Sequence, residues 1–432
     1  LYYIIKANGQ NCKKNGNKMN SIKYTIENLL CTGCGVCEDM CAKGAISIKR
    51  SDNVNIPVVN TAACVNCGRC LKVCPGVGGN LDAAKQTLFG TESLFEDKLI
   101  GPYVSLHSGY SLNDEVRLHS ASGGMISQFL IYLLEKKIID GAVVTGFSKE
   151  DKITPVSYIA RSKEDILNAK STKYCPVSLN RMGDEIAASE GKYVIVGIPC
   201  HVQGFRKRAA IDKKFREHIF GLFSVYCSSN RNFNAQNYLF KKYRVNKSEI
   251  LYFAYRDNGC LGDMVIRKKN DEKISIPFIH YYGRLRSFFK PHRCSLCIDH
   301  YGMLADVSFG DLHIKPYSDD KIGISSWIVR NPLFEDLFKK AETEGYIKMD
   351  DLNPFILNES QKEMLYPKKR RVRAQMQWDK FFGHKVPEYD VILDEKPRVK
   401  DYVTIAVAKI QAFIGRHKVL WPLIDLSNMG RK

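Results

Sequence analysis

The order of apolar and polar positions predicts a chain that changes character twice, near residues 80 and 350. Ala45-Ile46-Ser47-Ile48 and Ile56-Pro57-Val58-Val59 read as two short strands. Residues 142–147 (AVVTGF) and 193–198 (YVIVGI) are near-continuous apolar runs, the pattern of strands buried on both faces. Gly221 to Tyr226 is a further strand-like stretch, and residues 124–138 carry apolar side chains at helical spacing behind a glycine pair. From Gly101 to about Met349 such stretches alternate, which is an α/β pattern. Residues 81–100 are polar and lack a strand period, so they read as a connector. Beyond residue 350 the chain turns basic. Residues 403–425 (VTIAVAKIQAFIGRHKVLWPLID) are amphipathic, with Lys409, Arg416 and Lys418 interrupting the apolar positions. Core packing is expected of that segment, with a membrane surface or a partner as alternatives.

At 432 residues the chain exceeds one typical domain. Its excess of 65 Lys+Arg over 46 Asp+Glu, a formal charge of +19, favours an anionic partner without naming one. No run approaches the ~18 apolar residues of a membrane-spanning helix, and the N-terminus has no signal-peptide core, so a cytoplasmic location is expected. The sequence opens at Leu1, and its first stretch is polar and irregular. Residues 1–22 are expected to be a disordered or non-native leader, with Met19 one candidate start that would set the first eighteen residues aside. The run Lys368-Lys369-Arg370-Arg371 could pass for an import signal, but a solvated charge run is the expected reading.

Cysteine changes the picture most. Of 15 cysteines, eight fall between Cys31 and Cys74, in CTGCGVCEDMC (31–41) and CVNCGRCLKVC (64–74). Both have the C-x2-C-x2-C-x3-C spacing of two-cluster ferredoxins, in which three close thiolates hold one cubane and the fourth reaches the other. Cys31, Cys34, Cys37 and Cys74 are thereby assigned to one [4Fe–4S] cluster, and Cys64, Cys67, Cys70 and Cys41 to the second. Gly33, Gly35 and Gly68 suit the tight loops. Structural zinc would call for two C-x2-C pairs set well apart, which suits this pattern poorly. Ala42 stands where proline is usual after the fourth cysteine, a position that shapes the loop and ligates nothing. Residues 23–80 are expected to form an α+β ferredoxin-like iron–sulfur module. Cys12, Cys175 and Cys260 have no such spacing and read as core or surface thiols.

Four strings further along carry a family resemblance: ASGGMISQFLIYLLEKKIIDGAVV (121–144), AKSTKYCP (169–176), YVIVGIPCHVQGFRK (193–207) and RCSLCIDHYGMLADVSFGD (293–311). Together, and in this order, they resemble the coenzyme F420 hydrogenase/dehydrogenase beta-subunit family over roughly residues 100–345, with a ferredoxin module fused in front. The resemblance does not reach the basic extension, 350–432. It implies that residues 101–349 are a larger α/β flavin-binding domain holding FAD beside a [4Fe–4S] cluster. Ser122, Gly123 and Gly124, opening a helix, offer amide N–H groups to a pyrophosphate. Lys170, Ser171, Thr172, Lys173 and Tyr174 offer cations, hydroxyls and a ring. Read without the family, the first is a small-residue helix start and the second a basic turn. The resemblance also suggests a third [4Fe–4S] cluster on Cys200, Cys227, Cys294 and Cys297; otherwise Cys200 and Cys227 are core thiols. His201, His292, Asp306 and Asp311 lie near these motifs, but structural roles are the plainer reading.

The function expected is an iron–sulfur flavoprotein oxidoreductase that passes electrons between an acidic ferredoxin- or flavodoxin-type carrier and a hydride-carrying small molecule. The alternative is a relay subunit that docks to a partner enzyme and has no substrate site of its own. Nucleic-acid binding would use the charge, but no base-reading motif supports it.

Overall fold

The computed structural model describes residues 20–428 apart from residues 52, 392 and 394. Met19, Cys12 and most of the expected leader lie outside the described residues, although Ser21 and Ile22 are already buried against the first lobe.

That lobe is the cysteine module. Strands β1 (Ile46–Arg50) and β2 (Asn55–Val59) pair antiparallel with Ile46 opposite Val59. One-turn helices α1 (Val36–Asp39) and α2 (Arg69–Lys72) repeat each other across the hairpin, each entered through a left-handed glycine, Gly35 at φ 90° and Gly68 at φ 75°. Gly35 has a second reason to be glycine. A Cβ there would collide with Ser178 Oγ and lie 2.5 Å from the Asn180 amide nitrogen, because the loop presses against the main domain.

Residues 81–100, expected to be a connector, instead form helix α3 (Leu81–Phe89) and a short strand pair. Leu81, Ala84 and Phe89 are buried, and their spacing is helical behind polar neighbours that hide it.

The main domain holds β3 (Ser105–Ser111), β4 (Gly141–Phe147), β5 (Pro155–Ala160), β6 (Tyr193–Gly197) and β7 (Ile219–Val225). A three-stranded antiparallel sheet follows, β8 (Ile250–Asp257), β9 (Asp263–Lys268) and β10 (Lys273–Pro277). The chain then returns to the large sheet with β11 (Val307–Asp311), β12 (Ser325–Val329) and β13 (Ile347–Asp351). The eight strands lie in the order β13-β3-β12-β11-β7-β6-β4-β5. The middle four, β11, β7, β6 and β4, are mutually parallel, and the outer pairings are antiparallel.

Side-chain period two explains the apolar runs. Ala142, Val144, Val194 and Phe223 face helices α4 (Met125–Glu135) and α6 (Pro332–Thr343), where Phe129 stacks on Phe338 at 3.8 Å between centroids. Val143, Ile195 and Leu222 face the opposite way, toward helix α5 (Pro199–Ile211) and Val36, Met40 and Val73 of the cysteine lobe. Both faces are therefore covered, as a parallel sheet requires.

The basic extension is folded rather than solvated. It forms helices α7 (Pro354–Phe381), α8 (Val399–Arg416) and α9 (Pro422–Ser427). Lys368 is buried, and its Nζ donates to the carbonyls of Cys227, at 2.7 Å, and Asp299. Arg370 pairs with Asp401 at 2.9 Å, and Arg373 donates to the Leu393 carbonyl at 2.6 Å. The expectation of a solvated run fails because these cations find carbonyls and carboxylates that the fold carries in from distant parts of the chain. Among the described residues, no helix is long and apolar enough to cross a membrane.

Candidate functional site

The structure draws the expected cysteine sets together. Cys31, Cys34 and Cys37 lie close enough to one another and to Cys74 for these neighbours to raise their pKa. Burial first, then these neighbours, pushes Cys31 up to about 12 and Cys34 to about 11. Cys70 is pushed to about 11 by burial, with Cys67 and Cys41 as its sulfur neighbours. Cys64 lies on the loop beside them, half-buried. Cys37 also feels Cys70, so the two sets adjoin.

Downstream, Cys200 sits in the first turn of α5, directly beyond the C-terminal end of β6. Cys227 follows β7, and Cys294 and Cys297 come from a short 3-10 turn at His292–Leu296. The thiol of Cys200 is raised by burial and then by Cys34, Cys227, Cys297 and Cys294. It is therefore coupled both to Cys34 of the N-terminal sulfurs and to its own set. None of these cysteines is in a disulfide. Among the described residues no three His, Cys, Asp or Glu side chains converge as ligands of one metal ion would. Buried thiols that suppress one another's ionisation need positive charge among them to be thiolates, and an iron–sulfur core supplies it. The donor sets fit such cores.

Cations brace these sets from outside. Lys207 Nζ donates to the carbonyls of Cys74 and Gly78, at 2.9 and 2.5 Å, and Arg293 donates to those of Pro75 and Gly76, both at 3.0 Å. Sequence pattern alone marked none of Lys207, Arg293 or Lys368, because their partners are main-chain carbonyls far away along the chain.

Beside Cys227, at the C-terminal ends of the four parallel strands, opens a cavity of about 450 Å³. This is where open α/β sheets bind ligands, and the volume is that of a ligand pocket. Ser122, Gly124, Lys170, Ser171, Thr172, Lys173 and Tyr174 line it, as do Cys227, His201 and Asp311. Gly123 instead packs against β3 and β12, where a Cβ would lie 2.6 Å from the Gly109 carbonyl oxygen. Lys173 is turned inward. Its ammonium donates to the carbonyls of Ala169, Lys170 and Ser171 at 2.6–3.0 Å, and burial lowers its pKa to about 7. It holds the loop in shape and leaves Lys170 as the cavity's cation from this motif.

Helix α4 points its first turn at the cavity. Gly124 caps it at φ 76°, and Met125, Ile126 and Ser127 line the opening with amide N–H groups that a helix start leaves unpaired. Across from them, Tyr174, Tyr282 and Phe278 form an aromatic wall, with Tyr174 and Tyr282 4.4 Å apart between centroids. Arg256 is clamped by Asp311 at 2.6 Å, which opposes the cost of burial and keeps the guanidinium charged. Tyr174 was expected from the sequence, but Arg256, Phe278 and Tyr282 were not singled out there, since three-dimensional closure alone carries β8 and the segment after β10 over the sheet edge.

The lone histidines and Asp306 are structural. His201 is buried and neutral, lowered to about 4, with Nε2 3.2 Å from the Val177 carbonyl oxygen. His292 lies 3.2 Å from Asp379, and Asp306 accepts from the Leu222 amide at 2.7 Å.

Family models match three stretches: a 4Fe-4S dicluster domain over 30–77, and the N-terminal and C-terminal parts of the coenzyme F420 hydrogenase/dehydrogenase beta subunit over 106–182 and 190–354. The chain belongs to the coenzyme F420 hydrogenase/dehydrogenase beta-subunit family. Relatives of this chain include the coenzyme F420-dependent sulfite reductase of Methanocaldococcus jannaschii. The two are 23% identical over 352 residues, covering 78% of this chain and 49% of that protein, so the chain spans about half its length. Another relative is a subunit of the F(420)H(2) dehydrogenase of Methanosarcina mazei, 24% identical over 77% of this chain and 88% of that one. A chain of the F420-reducing [NiFe] hydrogenase complex from Methanosarcina barkeri shares the fold, with a TM-score of 0.54 at 21% identity, over 68% of this chain and 99% of that chain.

Proposed function

We propose that this chain is an iron–sulfur electron-transfer protein that holds three [4Fe–4S] clusters in a row and a flavin in the cavity, and that it exchanges hydride with a small molecule. The carrying observation is Cys200, whose buried thiol feels both Cys34 of the N-terminal module and Cys227, Cys294 and Cys297, while Cys227 lines the cavity. Cys31, Cys34, Cys37 and Cys74 would hold one cluster, Cys41, Cys64, Cys67 and Cys70 the second, and Cys200, Cys227, Cys294 and Cys297 the third. Such clusters carry single electrons, and a bound flavin supplies the exchange between one-electron and hydride chemistry.

The cavity's residues suit FAD. The amides opening α4, with Ser122 and Gly124, meet a pyrophosphate, Lys170 adds charge, and Tyr174, Phe278 and Tyr282 present an apolar wall to a ring. Arg256, fixed by Asp311, keeps a positive charge in the buried wall of the cavity. The deazaflavin coenzyme named for the relatives is the first hydride carrier to try. Exposed Cys67, with Lys43, Arg69 and Lys72 exposed on the same lobe, suits docking of an acidic ferredoxin or flavodoxin.

A second reading is an electron relay that works only inside a larger complex, favoured by relatives named as subunits. Iron, acid-labile sulfide and flavin counts on protein purified without oxygen test both. About twelve irons and one FAD support the first reading, whereas about eight irons without flavin remove the third cluster and the hydride site together. Turnover of a small acceptor by the isolated chain separates an enzyme from a relay.

A further inference from the structure

Helix α8 shows its apolar side to solvent. Val399, Val403, Val407, Ile410 and Phe413 are 47–82% exposed and recur at helical spacing along one stripe. The inward face is held by Asp401 against Arg370 and by Lys409 against Asp379 at 3.1 Å. Beyond its C-terminal end, Val419 is 83% and Leu426 62% exposed. Lys409 also places the end of α7 beside it, and there, two residues beyond Asp379, Phe381 and Phe382 are exposed.

Charge brackets this stripe. Lys396, Lys400, Arg416 and Lys418 are exposed at its two ends. The carboxylates on these elements are paired: Asp401 and Glu395 with Arg370, Asp379 with Lys409 and His292, and Asp425 with Lys242 and Tyr238. An outward apolar ridge about 21 Å long, cationic at both ends, has the character of a helix lying in the plane of a bilayer with its Lys and Arg at anionic headgroups. We propose that α8 and its continuation dock this protein flat on an anionic lipid surface. The extension would then join that surface to the cysteine sites, since α7 carries Lys368 onto the Cys227 carbonyl and Asp379 toward α8. The proposal rests on the exposed face alone and is independent of the flavin reading.

The test is co-sedimentation of the cluster-loaded protein with vesicles of phosphatidylcholine, with and without phosphatidylglycerol. The expected result is binding to the mixed vesicles that falls as salt rises, with little binding to pure phosphatidylcholine. The double variant Ile410→Asp/Phe413→Asp should lose at least about tenfold in affinity while iron content and visible spectrum stay unchanged, because both side chains are exposed. Lys400→Gln/Lys418→Gln should flatten the salt dependence. Absence of native binding to the mixed vesicles overturns the proposal, as does equal binding by the double variant. A concentration-dependent dimer in ultracentrifugation that Ile410→Asp/Phe413→Asp dissolves would overturn it too, assigning the ridge to a second copy of the chain.

Discussion

Arg208→Met tests whether the cysteine lobe is held to the main domain by charge. Asp39, in the first lobe, is buried to a side-chain exposure of 0%, and Arg208 of α5 lies 3.0 Å from it at 2% exposure, an ion pair across the junction. Asp39 Oδ1 also accepts from the Arg181 amide at 2.5 Å, and Oδ2 from the Gly183 amide at 3.0 Å, so the carboxylate sits at a knot of donors from the other domain. Burial is the dominant force on Asp39, lifting its pKa to about 7 against the pull of Arg208. Losing the guanidinium leaves Asp39 buried without a counter-charge, and deprives Asp184 and Asp212 of the same partner. Breaking a buried pair from one side costs about 3–5 kcal/mol. At about 1.4 kcal/mol per decade, amide exchange through local opening of Val36–Asp39 should accelerate at least about 100-fold in Arg208→Met. Hydrogen exchange read by mass spectrometry on the cluster-loaded protein measures this. In Asp39→Asn/Arg208→Met much of the loss should return, since the one fully buried carboxylate left unpaired is gone and Asp184 and Asp212 still reach solvent. Less than about tenfold acceleration in the single variant, or a double variant worse than the sum of the singles, would refute the reasoning.

Gly35→Ala adds a Cβ at φ 90° against Ser178 and the Asn180 amide, so the first cluster should be lost and iron per chain should fall, which colorimetric iron assay reads. Lys368→Met frees the carbonyls of Cys227 and Asp299 and should remove about four irons selectively, leaving the EPR signals of the N-terminal pair. Lys173 sets a pH dependence. Burial lowers its pKa from 10.5 to about 7, so the unfolded chain binds more protons between those values and stability rises as pH climbs from 7 toward 10.5. Denaturant unfolding should show that rise, worth up to a few kcal/mol, in the native chain, and Lys173→Met should flatten it.

The sequence alone determined what chemistry recurs at short range. The two C-x2-C-x2-C-x3-C runs, their glycines and the hairpin between them are local patterns, and thiol spacing decides cluster type with little help from the rest of the chain. The parallel strands were legible for a similar reason, since a sheet covered on both faces must be apolar at consecutive positions, as in Ala142-Val143-Val144. Helix α3 and the fold of the extension were harder to read: α3's period was masked by its polar neighbours, and Lys368 and Arg370 were solvated only until distant acceptors arrived. Tertiary structure decided everything that depends on juxtaposition. It brought Cys200 within reach of both sulfur groups, tied the Lys173 ammonium to the carbonyls of its own loop, and brought Arg256 and Tyr282 from the three-stranded lobe to the ends of the parallel strands. The physical reason is range: ligation spacing and side-chain period act over a few residues, whereas burial and counter-charge depend on partners brought in from 50 to 200 residues away, as Arg256 is to Asp311 and Asp39 to Arg208.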